Sequence, residues 1–129
     1  MIVKCLYNDP ENLPEESIPF FDYGLEKGKE YLVMGLGTFK RKDDIYCLID
    51  ENGRPSWFPL SIFEMIDSTL PADWIIKTNY DRVDIDFREL IGFRELCSNP
   101  DFFNGLLLRE QKALKIYFGK KTELENIAV

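Results

Sequence analysis

At 129 residues, 45% hydrophobic and 30% charged, the chain has the size of a single folded domain and too many apolar residues for a disordered one. A net charge of −7 argues against nonspecific nucleic-acid binding, which needs clustered Lys and Arg, and favours solubility and attraction of basic partners. With no histidine the usual general base and His-based metal triads are missing, and Cys5, Cys47 and Cys97, isolated and without a CxxC, read as buried reduced thiols.

From the N-terminus, "MIVKCLYNDP" lacks the pattern of a signal peptide, and Ile2–Tyr7 reads as a short first strand. Residues 8–30, "NDPENLPEESIPFFDYGLEKGKE", hold three of the seven prolines and seven acids, which predicts a long irregular loop of the kind that often carries function. "EYLVMGLGTF" predicts a strand whose two glycines permit a bend or bulge. "KRKDD" is a polar turn and "IYCLID" a strand, and "ENG" supplies the Asn-Gly pair of a tight hairpin. "RPSWF" then pairs back, with Pro55 and Pro59 marking its ends or a sheet edge, because proline cannot donate to a ladder. "LSIF" fits one helical turn and "EMID" a last short strand. About five strands at this spacing predict a small barrel.

Beyond "PADWIIKTN" the apolar period lengthens. Phe87, Leu90, Ile91, Phe93 and Leu96 predict a helix starting at Phe87, with Asp84 or Asp86 as its cap and Gly92 weakening it by about 1 kcal/mol. A second helix follows, capped by Ser98 or Asn99, with Pro100 in its first turn and Asp101 at its positive end. Its stripe is Phe103, Leu107, Leu114 and Phe118, and Gly119 is expected to end it. No apolar run approaches the ~18–20 residues that cross a bilayer, so a cytoplasmic location without membrane contact is expected.

"GRPSWFPLSIFEMI" resembles the end of a Src-homology-3 (SH3) domain, where G-R-x-G-L-F-P-S-N-Y-V-E-L is common. Gly53, Arg54, Phe58, Pro59 and Glu64 match, and Trp57 and Phe63 are conservative. "GLEKGKEYLVMG" resembles the family's "LSFKKGDxxxV", and "CLYNDP" its opening A-L-Y-D-Y. The resemblance spans about residues 3–67 and implies an SH3-like barrel. Of the aromatic shelf that binds proline-rich peptides, only Tyr7 and Pro59 carry over. Ile62 stands at the shelf tyrosine, Ser61 at its asparagine and Asp9-Pro10 at the second opening aromatic, so the usual peptide groove is not expected. The whole chain also resembles small bacterial proteins that join such a barrel to terminal helices, some of them of the toxin-immunity type.

The expected architecture is therefore a single α+β domain, 1–129. An SH3-like barrel portion over 1–78 carries the acidic loop 8–30, and 79–129 forms an extension of two helices. "DRVDID", with Asp81, Asp84 and Asp86, could hold Mg²⁺ or Mn²⁺, although helix capping explains the same acids and the sixth-position glycine of an EF-hand is missing. "GLG" lacks the following helix of a phosphate cradle, and "FKRKDD" reads as a solvated turn. In a strand only one of Trp57 and Phe58 faces inward. The outward ring either contacts a partner or is covered by the 8–30 loop or the C-terminal helices.

These residues point to a non-catalytic protein-binding module, and the resemblance implies one of immunity type that neutralises a basic toxin. The candidate contacts are Tyr7, Glu11, Glu15, Glu16, Asp22, Glu26, Trp57, Pro59 and Phe63. No cofactor, metal or nucleic acid is expected. The alternatives are a metal-dependent enzyme built on Asp81, Asp84 and Asp86, and a structural oligomer formed through the Phe103–Phe118 helix.

Overall fold

The computed structural model describes residues 1–7, 24–40, 42–78 and 87–127. Its strands are β1 (Ile2–Cys5), β2 (Glu30–Leu32), β3 (Gly35–Phe39), β4 (Ile45–Glu51), β5 (Arg54–Pro59), β6 (Phe63–Asp67), β7 (Ile75–Thr78) and β8 (Phe87–Gly92). The helices α1 (Arg94–Ser98), α2 (Pro100–Leu107) and α3 (Gln111–Ile127) complete a mixed α+β fold. Among the described residues the strands form two antiparallel sheets, β2-β1-β6 and β5-β4-β3-β8-β7. No helix among these residues is long and apolar enough to cross a membrane.

Local chemistry explains much of this. Asn52 and Gly53 take φ of 53° and 75°, closing the two-residue turn that joins β4 to β5 with Glu51 opposite Arg54. β5 lies at the edge of its sheet, where Pro55 and Pro59 leave no ladder partner unmatched. Leu60–Ile62 forms a single 3-10 turn that redirects the chain from β5 into β6, in the other sheet.

The single strand expected over "EYLVMGLGTF" is instead two, because the chain changes sheets between Val33 and Met34. The Val33 N–H donates to the Met1 carbonyl at 3.0 Å, beside β1, and the Met34 N–H donates to the Leu48 carbonyl at 2.8 Å, on β4. Their side chains part as well, Val33 entering one apolar cluster and Met34 the other. Each cluster fills one side of β4. Leu48 packs with α2 and α3 residues, whereas Cys47 and Ile49 pack with Val3, Phe58 and Ile62. Strand alternation thus serves two cores at once, and the apolar run "IYCLI" suits a strand buried on both faces.

The closed five-stranded barrel expected here is not what the described strands make; they form two open sheets. β8 pairs along the free side of β3, from Gly35 opposite Gly92 to Phe39 opposite Phe87, and β7 extends the sheet beyond it. With that edge occupied, the sheet grows outward instead of meeting itself.

The helix expected from Phe87 is also corrected. Phe87–Gly92 is β8, and only Arg94–Ser98 is helical. Phe87, Leu90 and Gly92 are buried while Arg88 is exposed and Glu89 half-buried, and β-sheet pairing overrides the helical spacing read from the sequence. Gly92 has a packing role: a Cβ there would lie 2.8 Å from Leu96 Cδ2, and one on Gly35, opposite, 2.6 Å from the same atom. The glycine pair makes the hollow that seats Leu96 of α1.

The second expected helix is correct at its start. The Asn99 side chain accepts from the N–H groups of Asp101 and Phe102 at 3.1 and 3.3 Å, with Pro100 in the first turn. It does not continue to Gly119. The chain breaks after α2, where Arg109 adopts φ 53°, and α3 then runs through Gly119 to Ile127. The break resets the phase of the apolar stripe. Phe102, Phe103, Leu106, Ala113 and Tyr117 are buried, and Leu107, placed on the stripe by the sequence, is 52% exposed.

Candidate functional site

Trp57 and Phe58 do point to opposite faces of β5, as alternation requires, and both faces are covered. Phe58, opposite Cys47, is 6% exposed within the cluster that holds Val3 and Phe63. Trp57, opposite Leu48, is half-buried in the other cluster, 5.4 Å from the Phe39 ring and 6.1 Å from Phe103 of α2. Helical cover, not an open platform, accounts for the second ring.

The other candidate contacts divide. Glu11, Glu15, Glu16 and Asp22 lie outside the described residues, as do Asp81, Asp84 and Asp86. Where a helix was expected for those aspartates to cap, β8 begins. Pro59 is fully buried and Phe63 is 9% exposed, so packing rather than contact occupies their side chains. Tyr7 and Glu26 are at the surface.

Glu26 leads to a polar concavity among the described residues. Its backbone N–H donates to the Tyr31 hydroxyl at 2.9 Å, and Tyr31 hydrogen-bonds in turn to the Glu51 carboxylate. Lys29 donates to Glu51 at 2.9 Å and lies 5.2 Å from the Tyr31 ring centroid. Beside this group Asp50 accepts from the Tyr117 hydroxyl at 3.0 Å and from Lys121 at 2.9 and 3.1 Å. Asp50 and Glu51 are consecutive on β4, so their side chains leave opposite faces of the strand. Asp50 ties it to α3 and Glu51 ties it to β2. Between the two ties lies a cleft of about 420 Å³, rimmed by Glu30, Asn52 and Glu125.

Electrostatics follows from these partners. The hydrogen bond from Tyr31, then that from Lys29, holds the Glu51 carboxyl below its ordinary value. Burial raises Tyr31 and Tyr117 well above the usual phenol range, and the adjacent carboxylates push the same way. Burial also pushes the Cys97 thiol up to about 11 and raises Cys47. The lowered Glu51 value implies stability that is complete above the unfolded carboxyl pKa of about 4.3 and is lost as pH falls through the folded value. Urea unfolding from about pH 5 down to pH 3 should therefore show a steeper loss for the wild type than for Glu51→Gln, which cannot titrate there.

Sequence reasoning missed Lys29, Tyr31, Asp50, Glu51, Tyr117 and Lys121 as a group. Two signals were present. An Asp-Glu pair closing an apolar strand must send carboxylates to both faces, and Tyr117 and Lys121, four apart on a helix, must share a side. No family model, curated protein or solved structure matches the chain.

Proposed function

We propose that the protein is a non-catalytic protein-binding module of immunity type that captures a basic toxin, with the cleft at the end of β4 as its electrostatic focus. One observation carries the reading: Glu30, Asp50, Glu51 and Glu125 line this cleft against only Lys29 and Lys121. The inner carboxylates are held by tyrosine and lysine, while Glu30 and Glu125 are exposed on the rim, where a partner's lysine or arginine can meet them. Glu26 is tied into the same place through Tyr31. The overall charge of −7 adds long-range attraction for a basic protein.

Non-catalytic use is supported by the chemistry of the buried groups. Raised thiol and phenol pKa values disfavour nucleophiles at Cys47, Cys97, Tyr31 and Tyr117. The SH3-like reading of residues 3–67 is retained as an opened form of that barrel. It is supported by the β2 to β3 switch between sheets and by the 3-10 turn that precedes β6.

The test is co-expression with the product of each neighbouring gene, one of which is expected to arrest growth when expressed alone. Growth should be protected, and the two proteins should co-purify. Glu30→Lys with Glu125→Lys should slow association about tenfold at low salt, with a smaller change in dissociation. If both rates are unchanged by these reversals, the cleft is not the docking focus.

A further inference from the structure

The outer edges of the two sheets are complementary to each other. β6 is an edge strand of the three-stranded sheet and β7 an edge strand of the five-stranded one, among the described residues. Residues 64–70 are all exposed, with Met65 at 40%, Ile66 at 45% and Leu70 at 41%, and on β7 Ile76 reaches 68%. Such edges present unpaired N–H and C=O groups, and an exposed apolar edge is a template for another strand.

We propose that β6 of one molecule pairs antiparallel with β7 of a second copy, giving a head-to-tail self-association. Setting Glu64 opposite Lys77 of the second copy places Met65 opposite Ile76 and Ile66 opposite Ile75. That register joins one opposite-charge pair to two apolar pairs, the kinds of cross-strand pair that stabilise antiparallel ladders. Glu64 and Lys77 are both exposed, and neither has an ion-pair partner among the described residues. Like-with-like pairing is disfavoured by the same charges. Full overlap of β6 with another β6 sets Glu64 opposite Ile66, and full overlap of β7 with another β7 sets Lys77 opposite Ile76, so in both a charge faces an apolar side chain without a countercharge.

The contact is short and interrupted. β7 is four residues long, and β6 carries a bulge at Ile66, since Val3 pairs with Met65 and Ile2 with Asp67. Bulges twist an edge and limit pairing, so association is weak and depends on concentration. Because β6 and β7 are different surfaces, the contact is heterologous and does not close on itself as a two-fold dimer does.

Sedimentation and light scattering at physiological ionic strength, where charges are screened beyond about 8 Å, give the test. The wild type is expected to rise above its monomer mass of 15.1 kDa as concentration approaches the millimolar range. Glu64→Lys and Lys77→Glu should each return it to the monomer, and the two reversals combined in one chain should restore association. Met65→Lys and Ile76→Lys should each be monomeric alone and should form dimers, but nothing larger, when mixed, because the two altered edges then carry like charges opposite each other. Far-UV circular dichroism verifies that each exposed-site variant is folded. A wild type that stays monomeric throughout overturns the proposal, as does association indifferent to the single reversals or unrestored by the pair. Assembly of either Met65→Lys or Ile76→Lys by itself also overturns it.

Discussion

Replacing Asp50 by alanine is expected to destabilise the protein by about 3 kcal/mol, on the order of a 10 °C fall in Tm. The side chain of Asp50 is only 9% exposed, and it accepts from both Tyr117 and Lys121. Removing it has unequal consequences for the two donors. Lys121 keeps 25% of its side-chain surface exposed and can turn to water. Tyr117 is fully buried, so its hydroxyl is left without a partner in the apolar cluster beneath α3. Tyr117→Phe removes the donor instead and should cost about 1 kcal/mol, the size of an ordinary hydrogen bond. In the Tyr117→Phe background the Asp50→Ala change should then cost clearly less than alone, because the orphaned hydroxyl no longer exists. Chemical denaturation of the four proteins measures this coupling. Additive losses would mean that the Tyr117 hydroxyl does not depend on Asp50.

Trp57→Ala should cost about 3 kcal/mol, within the range for removing a large aromatic from a packed core. The ring touches Phe39 within its own sheet and Phe103 on α2, so its loss removes the contact that seats α2 against β5. The near-UV circular dichroism of the aromatic cluster should weaken together with the loss in denaturant midpoint. An anchor for a partner would behave otherwise: its truncation would abolish binding and leave the unfolding midpoint almost unchanged. A stability loss under about 1 kcal/mol would return Trp57 to the list of contact residues.

The contrast between these two sites explains which parts of the fold were legible in the sequence. Asn52-Gly53 demands positive φ over two residues, and Pro55 and Pro59 cannot serve a central ladder, so the β4–β5 hairpin and its edge position could be read directly. Asn99-Pro100-Asp101 is likewise a local start signal, and α2 begins there. "DFRELIGFREL" misled for a physical reason. Phe87, Leu90 and Ile91 carry helical spacing, yet β3 offers them a ladder, and the hollow at Gly35 and Gly92 forms only once the two strands are side by side. Non-local pairing of this kind outweighs propensity differences of a few tenths of a kcal/mol per residue.

The polar cluster was hidden for the same reason. Tyr31, Asp50 and Tyr117 are separated by 19 and 67 residues of sequence, and nothing local to any of them announces the others. What the sequence settles alone is what short-range sterics and alternation dictate: the hairpin turn, the proline-marked edge, the cap of α2, and the divergence of Trp57 from Phe58. Tertiary structure decides which faces are covered, that β4 is enclosed on both sides, and that two carboxylates at its end fasten two different layers. Burial and long-range pairing depend on elements brought together from across the chain, and their energies exist only after those elements meet.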